Sequence, residues 1–481
     1  LIQFPLPQAV KRSLQMKKTR AFISALLIAA MSVSFIGCGS SKSSSESISY
    51  KELDSSKREE IHNNAAESDL LTGDKLENGE IKWLSDWDIN PDASGKNVPT
   101  DLAVFQERYG GSVKFYQCTY ANRYDKLAEY ISSDEGIDFF YGGNLDAFPK
   151  GAVRGMFAPV DDYIDFSSEL WEDVEDLNDS FIWDGKHYVC AVQATGDNVA
   201  VVYNRKTVAE AGLEDPAQLY ADGNWTWDTF QDMLEKFVDP DNQKYGIDGW
   251  WFEFGLMNTI GIPPVSLEDG KLVSNIGTPE MERVQNWMYD LYTNNCIAIG
   301  VGDYGWEAKP SFIGEGKLLF YPVGLYTFYT EKEQWTKTYG EDAFFVPMPK
   351  DPEADEYYIP TGMEAYMFVA GGSNPEGVAK YLDCKRFVLI DEDTRKIADE
   401  QMLEDYGWTD EMVEMKNSMQ ELADANPVID ISKGVSTDCG DLLDSSLRLT
   451  TRGTPWSETY DSIAATVQTY LDEINSGKVS E

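Results

Sequence analysis

Residues Gly185–Phe230 read GKHYVCAVQATGDNVAVVYNRKTVAEAGLEDPAQLYADGNWTWDTF. Asp184-Gly185 sits between aromatic Trp183 and Tyr188, and an Asp-Gly pair between apolar flanks predicts a tight hairpin. A polar segment, 193–198, then leads into an apolar strand over Val199–Tyr203, followed by Asn204. Lys206–Ala211 forms a short helix, closed by Gly212 with Pro216 just beyond, the residues on which helices stop. Thr226 stands as an N-cap ahead of the amphipathic run that starts at Trp227-Asp228.

Upstream of this stretch the periodicity alternates. Ile81–Leu84 is a strand and Val98–Tyr109 a helix ended by Gly110-Gly111. Val113–Thr119 is a second strand, Tyr124–Ile131 a second helix, and Ile137–Tyr141 a third strand closed by Gly142-Gly143-Asn144. A β-α-β-α-β order builds a parallel sheet covered by helices. Ligands of such sheets sit beyond the carboxyl ends of the strands. Tyr141, Asn144 and Asp146 leave the third strand at that edge, and Gly142-Gly143 lets a ligand approach the backbone. After Val199 a second α/β unit begins.

The order G-K-x-Y, V-V-Y-N-R (201–205), A-G-L-x-x-P (211–216) and W-T-W-x-x-F (225–230) resembles the extracellular solute-binding proteins of carbohydrate ABC transporters, the family that includes maltose-binding protein. Met156–Tyr163, Lys317–Tyr321, Phe345–Pro349 and Asn374-Pro375-Glu376 resemble further segments of that family. The resemblance implies an α/β, two-lobed, type II periplasmic-binding-protein-like fold. Each lobe is expected to be a mostly parallel sheet flanked by helices, with hinge strands crossing between lobes. The expected division is 79–196 plus 362–430 for the first lobe and 197–361 plus 431–481 for the second.

The resemblance also implies a ligand site in the cleft. It adds Asp197, six residues before Tyr203, where maltose-binding protein places a ligand-binding carboxylate, and the aromatics Trp251 and Tyr326. Trp250 and Trp251 are neighbours in an extended stretch and point apart, so Trp251 is expected in the cleft and Trp250 in the core. Trp306 is a weaker candidate. For Trp456, just before the last helix, facing the cleft and capping the helix both stay open. The function implied is capture of a sugar or oligosaccharide by lobe closure and delivery to ABC permease subunits, by a monomer without catalysis or cofactor.

The first 37 residues read as targeting sequence. Residues 1–15 precede Met16 and are expected to be an upstream extension. Met16–Arg20 is basic, and 21–36 is apolar but short for a membrane span. Phe35-Ile36-Gly37-Cys38 resembles a bacterial lipoprotein signal, which implies lipidation of Cys38 and anchorage to the outer face of the cytoplasmic membrane. Two acyl chains hold a protein on a bilayer where one does not. Residues 38–78, rich in Ser, Lys and Glu, read as a flexible tether, with a weak helix somewhere within 50–71.

Composition narrows the alternatives. The chain has 481 residues, too many for one core. Its 83 acidic residues against 40 basic give a formal charge of -43, which argues against nucleic acid or a direct anionic membrane partner. The cysteines beyond Cys38 (Cys118, Cys190, Cys296, Cys384 and Cys439) are widely spaced, without a C-x-x-C or zinc pattern. With two histidines, His62 and His187, and no G-x-S-x-G, neither a serine hydrolase nor a His-rich metal site is expected. Asp161-Asp162 lies at a helix entrance, where Asp is favoured electrostatically. Asp239–Lys244 lacks the glycine and closing glutamate of a calcium loop and reads as a turn. A secreted glycoside hydrolase with a carboxylate pair, and a sugar-sensing lipoprotein feeding a membrane kinase, are the other readings.

Overall fold

The computed structural model describes residues 55–91, 98–249 and 251–477. Cys38, the apolar segment before it and Trp250 lie outside the described residues. Among those described, no helix is long and apolar enough to cross a membrane.

The described residues open with helix α1 (Ser55–Glu67) and strand β1 (Glu80–Ser85), then α2 (Thr100–Tyr109), β2 (Ser112–Gln117), α3 (Arg123–Ser132), β3 (Phe139–Tyr141) and β4 (Phe157–Ala158). β5 (Cys190–Thr195) and β6 (Ala200–Asn204) follow, then α4 (Trp227–Phe237), β7 (Tyr245–Ile247), α5 (Phe252–Asn258), α6 (Pro279–Thr293), β8 (Leu318–Val323) and β9 (Ala343–Val346). β10 (Gly362–Val369), α7 (Pro375–Ile390), α8 (Glu392–Tyr406), α9 (Asp410–Ala425), α10 (Ser432–Val435), α11 (Thr437–Ser446) and α12 (Trp456–Asn475) complete it.

Local chemistry accounts for these boundaries. Gly110 ends α2 in the left-handed region at φ 69°, where its N–H reaches Gln106 O and the next N–H reaches Phe105 O. Asn374 caps α7: its side chain accepts from Gly377 N at 2.9 Å and donates to Asn78 O and Glu80 O, with Pro375 at the first helical position. Thr226 and Thr229 make a reciprocal capping box at the start of α4. β6 and β8 are buried at every position, which is why both read as unbroken apolar runs rather than alternating ones.

Two sheets carry the fold. The first has the order β2-β1-β3-β10-β4, with β5 also paired to β10. The second has the order β9-β6-β8-β7. β5 lies in the first sheet and β6 in the second, so the chain crosses at 196–199. β9 lies in the second and β10 in the first, so it returns at 347–361.

The expected parallel pairing is found in β2-β1-β3 and in β8-β7, and both sheets are mixed. β10 runs antiparallel to β3, β4 and β5, and β6 antiparallel to β8 and β9. The reason is directional: a strand entering a sheet from the other lobe traverses it opposite to strands that enter from a covering helix.

The described part of the expected tether, 55–78, is folded rather than flexible. α1 packs on the first lobe through Ile61 and Ala65, both buried, with Arg58 to Glu107 at 3.3 Å and Lys57 to Glu404 at 3.2 Å. The helix is the one expected within 50–71, and its two buried apolar side chains in a polar sequence give too weak a periodic signal to show that it packs on the lobe.

Candidate functional site

A cavity of about 380 Å³ opens where the two sheets face one another, within the size range of small-molecule sites. The first lobe contributes Tyr141, Gly143, Asn144 and Glu364, the crossing segments Asp197, Asn198 and Thr361, and the second lobe Trp251, Tyr326 and Tyr329. Five residues expected from sequence therefore meet here: Tyr141, Asn144, Asp197, Trp251 and Tyr326. A second chamber of about 1170 Å³ adjoins it and shares Trp251, Lys433, Gly440 and Asp444.

Tyr141 ends β3 with its hydroxyl donating to Met363 O at 3.0 Å and its ring edge-on to Trp87. Burial, then the Glu364 and Asp197 carboxylates, push its phenol well above the ordinary value. The phenol stays neutral, and the ring edge remains for a ligand. Gly143 is small for a reason internal to the protein: a Cβ there would lie 2.1 Å from Met363 O and 2.4 Å from the Tyr141 hydroxyl. The close approach belongs to β10, not to a ligand.

Asp197 performs two tasks at the crossing. Its carboxylate accepts from the Tyr329 hydroxyl, and its backbone carbonyl accepts from Leu325 N at 3.0 Å. It thereby fixes the turn that presents Tyr326, whose ring is 63% exposed. Trp251 is 41% exposed and sits at φ 58°, an uncommon backbone conformation for a bulky side chain. The Lys433 ammonium lies 4.5 Å from the centre of its ring.

Glu364 was not foreseen. A β-bulge between Glu364 and Ala365 shifts the pairing of β10 with β5, and bulges re-aim side chains. Its carboxylate takes bonds from Lys385 Nζ at 2.8 Å, Tyr366 at 3.0 Å and Gln193 at 3.1 Å. Lys385 also binds Asp101 at 2.5 Å. Burial opposes the lysine's charge, but Asp101 and Glu364 override it and raise its pKa well above the usual. Asp430 lines the cavity too, yet it serves a turn, accepting from Ser432 N at 3.1 Å and Ser432 Oγ at 2.6 Å. No local pattern marks Glu364 and Lys385, because their ion pair and the link to Asp101 join segments distant in sequence.

Two expected site residues stand elsewhere. Asp146 lines the second chamber, not the first. Its carboxylate is occupied by Arg123 and the Tyr124 hydroxyl, so it orients Arg123, whose guanidinium lies 3.6 Å over the Tyr120 ring. Trp456 is 4% exposed and lines neither chamber. It opens α12 with its ring against Tyr460, because the first turn of that helix faces the second lobe's core. Trp306 is exposed outside both chambers.

Other expectations resolve as structure. Trp225 and Trp227 are buried, donating to Pro347 O at 2.8 Å and Thr259 Oγ1 at 3.0 Å. Asp161 accepts from His187 N at 3.1 Å and contacts its ring Nδ1 at 2.8 Å, which pins the 182–187 hairpin. Asp239–Lys244 is a short 3₁₀ turn. Cys118, Cys190, Cys296, Cys384 and Cys439 are free and buried. Among the described residues, no cluster of His, Cys, Asp or Glu is arranged to hold a metal ion.

The sequence profile of the bacterial extracellular solute-binding protein family matches residues 91–384, more than half of the chain. The chain belongs to that family. Its place outside the cytoplasm follows from the membership. This solute-binding protein is 29% identical over 293 residues to the maltotriose-binding protein of Pyrococcus abyssi (strain GE5 / Orsay), a match that spans 59% of each chain.

Among solved structures it is similar to the cyclic alpha-maltosyl-1,6-maltose binding protein from Arthrobacter globiformis, with a TM-score of 0.60 and 18% identity, covering 82% of this chain and 99% of that one. It is similar also to the GacH receptor of Streptomyces glaucescens GLA.O, solved unliganded and with acarbose, with a TM-score of 0.56 and 14% identity, covering 83% and 100%. The two-lobed type II periplasmic-binding fold is thus shared.

Proposed function

We propose that this protein captures a sugar, in particular an oligosaccharide, between its lobes and delivers it to the permease of an ABC transporter. The observation that carries the reading is the facing of Trp251 and Tyr326 from the second lobe, both solvent-exposed, toward Tyr141 and Asn144 of the first across one cavity. Aromatic faces cover the apolar faces of pyranose rings. Asn144, Asn198 and Asp197 supply hydrogen bonds that hydroxyls need in a closed cleft, where an unpaired polar group is costly. Closure turns about the crossing segments near 196–199 and 347–361, a hinge motion of the kind periplasmic binding proteins perform. The Pyrococcus relative is named for maltotriose and the Arthrobacter neighbour for a cyclic maltose dimer, which makes α-linked glucose oligomers the first ligands to try.

The protein acts as a monomer, without cofactor, and leaves its ligand intact. Cys38 is lipidated and holds it at the membrane's outer face. Calorimetric titration with maltotriose, maltotetraose and cyclic dextrins tests capture. Recovery of the bound sugar unchanged after prolonged incubation is expected, and steady release of reducing ends by homogeneous protein would replace this reading by the glycoside hydrolase.

A further inference from the structure

The chain carries 83 acidic residues against 40 basic, yet the second chamber departs from that balance. Its lining includes Arg123, Lys150, Arg154 and Lys433 against Asp125, Asp146, Asp441 and Asp444. Two of those acids are already neutralised: Asp146 by Arg123 and Asp444 by Arg448 at 2.8 Å. Lys150 and Lys433 enter no ion pair among the described residues.

Lys150 Nζ, half-buried, donates instead to the Lys433 carbonyl at 3.1 Å. Burial pulls the pKa of this ammonium down, with Asp146 and Asp441 acting against that and Arg154 and Arg123 adding to it. The exposed Lys433 lays its ammonium over Trp251 at 4.5 Å. Asp430 interacts with Lys433 only at longer range, its carboxylate being bound to Ser432 and Val265 N. Two ammonium groups that enter no ion pair among the described residues thus line one chamber together with Trp251, in a chain with 83 acidic residues to 40 basic.

We propose that the second chamber receives an acidic sugar unit, a uronate whose carboxylate sits between the Lys150 and Lys433 ammonium groups while its ring lies on Trp251. The inference rests on the sugar-capture reading and narrows its ligand class. Lys433 covers one face of Trp251, and a sugar stacking on that face must displace it. A neutral sugar displaces the ammonium from the ring and offers it no anion. A uronate displaces it onto a charge-assisted hydrogen bond, so the same contact disfavours one class and favours the other. A single negative charge suits the chamber, because Asp125 and Asp441 also line it and would repel a dianion.

The test is calorimetric titration of the full soluble protein with oligogalacturonates and glucuronate-bearing xylo-oligosaccharides, each against its carboxyl-reduced neutral counterpart, with maltotetraose as a further neutral probe. At least one acidic member is expected to bind tenfold or more tighter than its reduced counterpart, with a gap that narrows as salt is raised. In Lys433→Met, whose side chain is exposed and whose folding circular dichroism checks, that gap should close, by weaker acidic binding and equal or tighter neutral binding. Neutral sugars binding as well as or better than acidic ones, or a gap that survives Lys433→Met, overturns the uronate assignment alone. Absence of binding by every sugar, maltotetraose included, overturns the capture reading and this one with it.

Discussion

Trp251→Gly separates the binding role of this side chain from its structural role in one substitution. A bulky residue held at φ 58° stores on the order of 1–3 kcal/mol of backbone strain, and strain of this kind persists where function requires it. Glycine relieves it, offset by about 0.5–1 kcal/mol of extra unfolded-state entropy. Trp251 is 41% exposed, so relief of the strain and loss of the packing on its covered part oppose one another. Melting temperature should stay near the parent's. Sugar affinity should fall by about 2 kcal/mol, the scale of an aromatic anchor in a desolvated pocket, which is roughly 30-fold in Kd. Trp456→Ala is the contrasting case. Its ring is 4% exposed, and truncating a buried Trp costs about 3–5 kcal/mol, lowering the melting temperature by several degrees while the folded fraction binds normally. Thermal melts and calorimetry on both variants read the two axes. If Trp251→Gly melts several degrees early and binds as the parent does, the ring is a packing residue and the site loses its platform.

Asp197→Ala should weaken sugar binding and also lower stability by about 1–3 kcal/mol, the cost of leaving the half-buried Tyr329 hydroxyl unpaired; Tyr329→Phe in the same background should recover the stability, measured by urea unfolding, but not the affinity. Lys385→Met should cost about 3–5 kcal/mol at neutral pH, because Asp101 and Glu364 are then left facing one another without their cation. Burial would raise the Asp101 pKa, but Lys385 overrides it and holds it below the ordinary value. The pair's contribution is therefore complete above the unfolded pKa of about 4 and is lost as pH falls through the lower folded value, so the difference between parent and variant should shrink in acid unfolding curves. Cys38→Ala should release the protein from the membrane fraction or leave it unprocessed, and intact mass of the parent's N-terminus finding no acyl groups there would remove the anchor.

Much of the fold could be read locally. The alternation over 81–141 named the first three strands and their helices because glycine stops and apolar periods are properties of neighbouring residues. The buried run Val199–Tyr203 and the capped helix after Thr226 were legible for the same reason. Side-chain destinations were not. Trp251 and Trp456 both stand at helix starts and carry the same ring, yet one lies open in the cleft and the other in the core, because what covers each is chain far away in sequence. Gly143 looked like room for a ligand and is room for Met363 O. The reach of Lys385 to Glu364 and Asp101, the bulge that turns Glu364, and the meeting of Lys150 with Lys433 join segments tens to hundreds of residues apart. Sequence by itself determined where the first strands and helices lie, and its resemblance to a family implied two α/β units joined by crossings. Only the tertiary structure decided which charges are compensated and which aromatics stay exposed, since both depend on what long-range packing brings within a few ångströms.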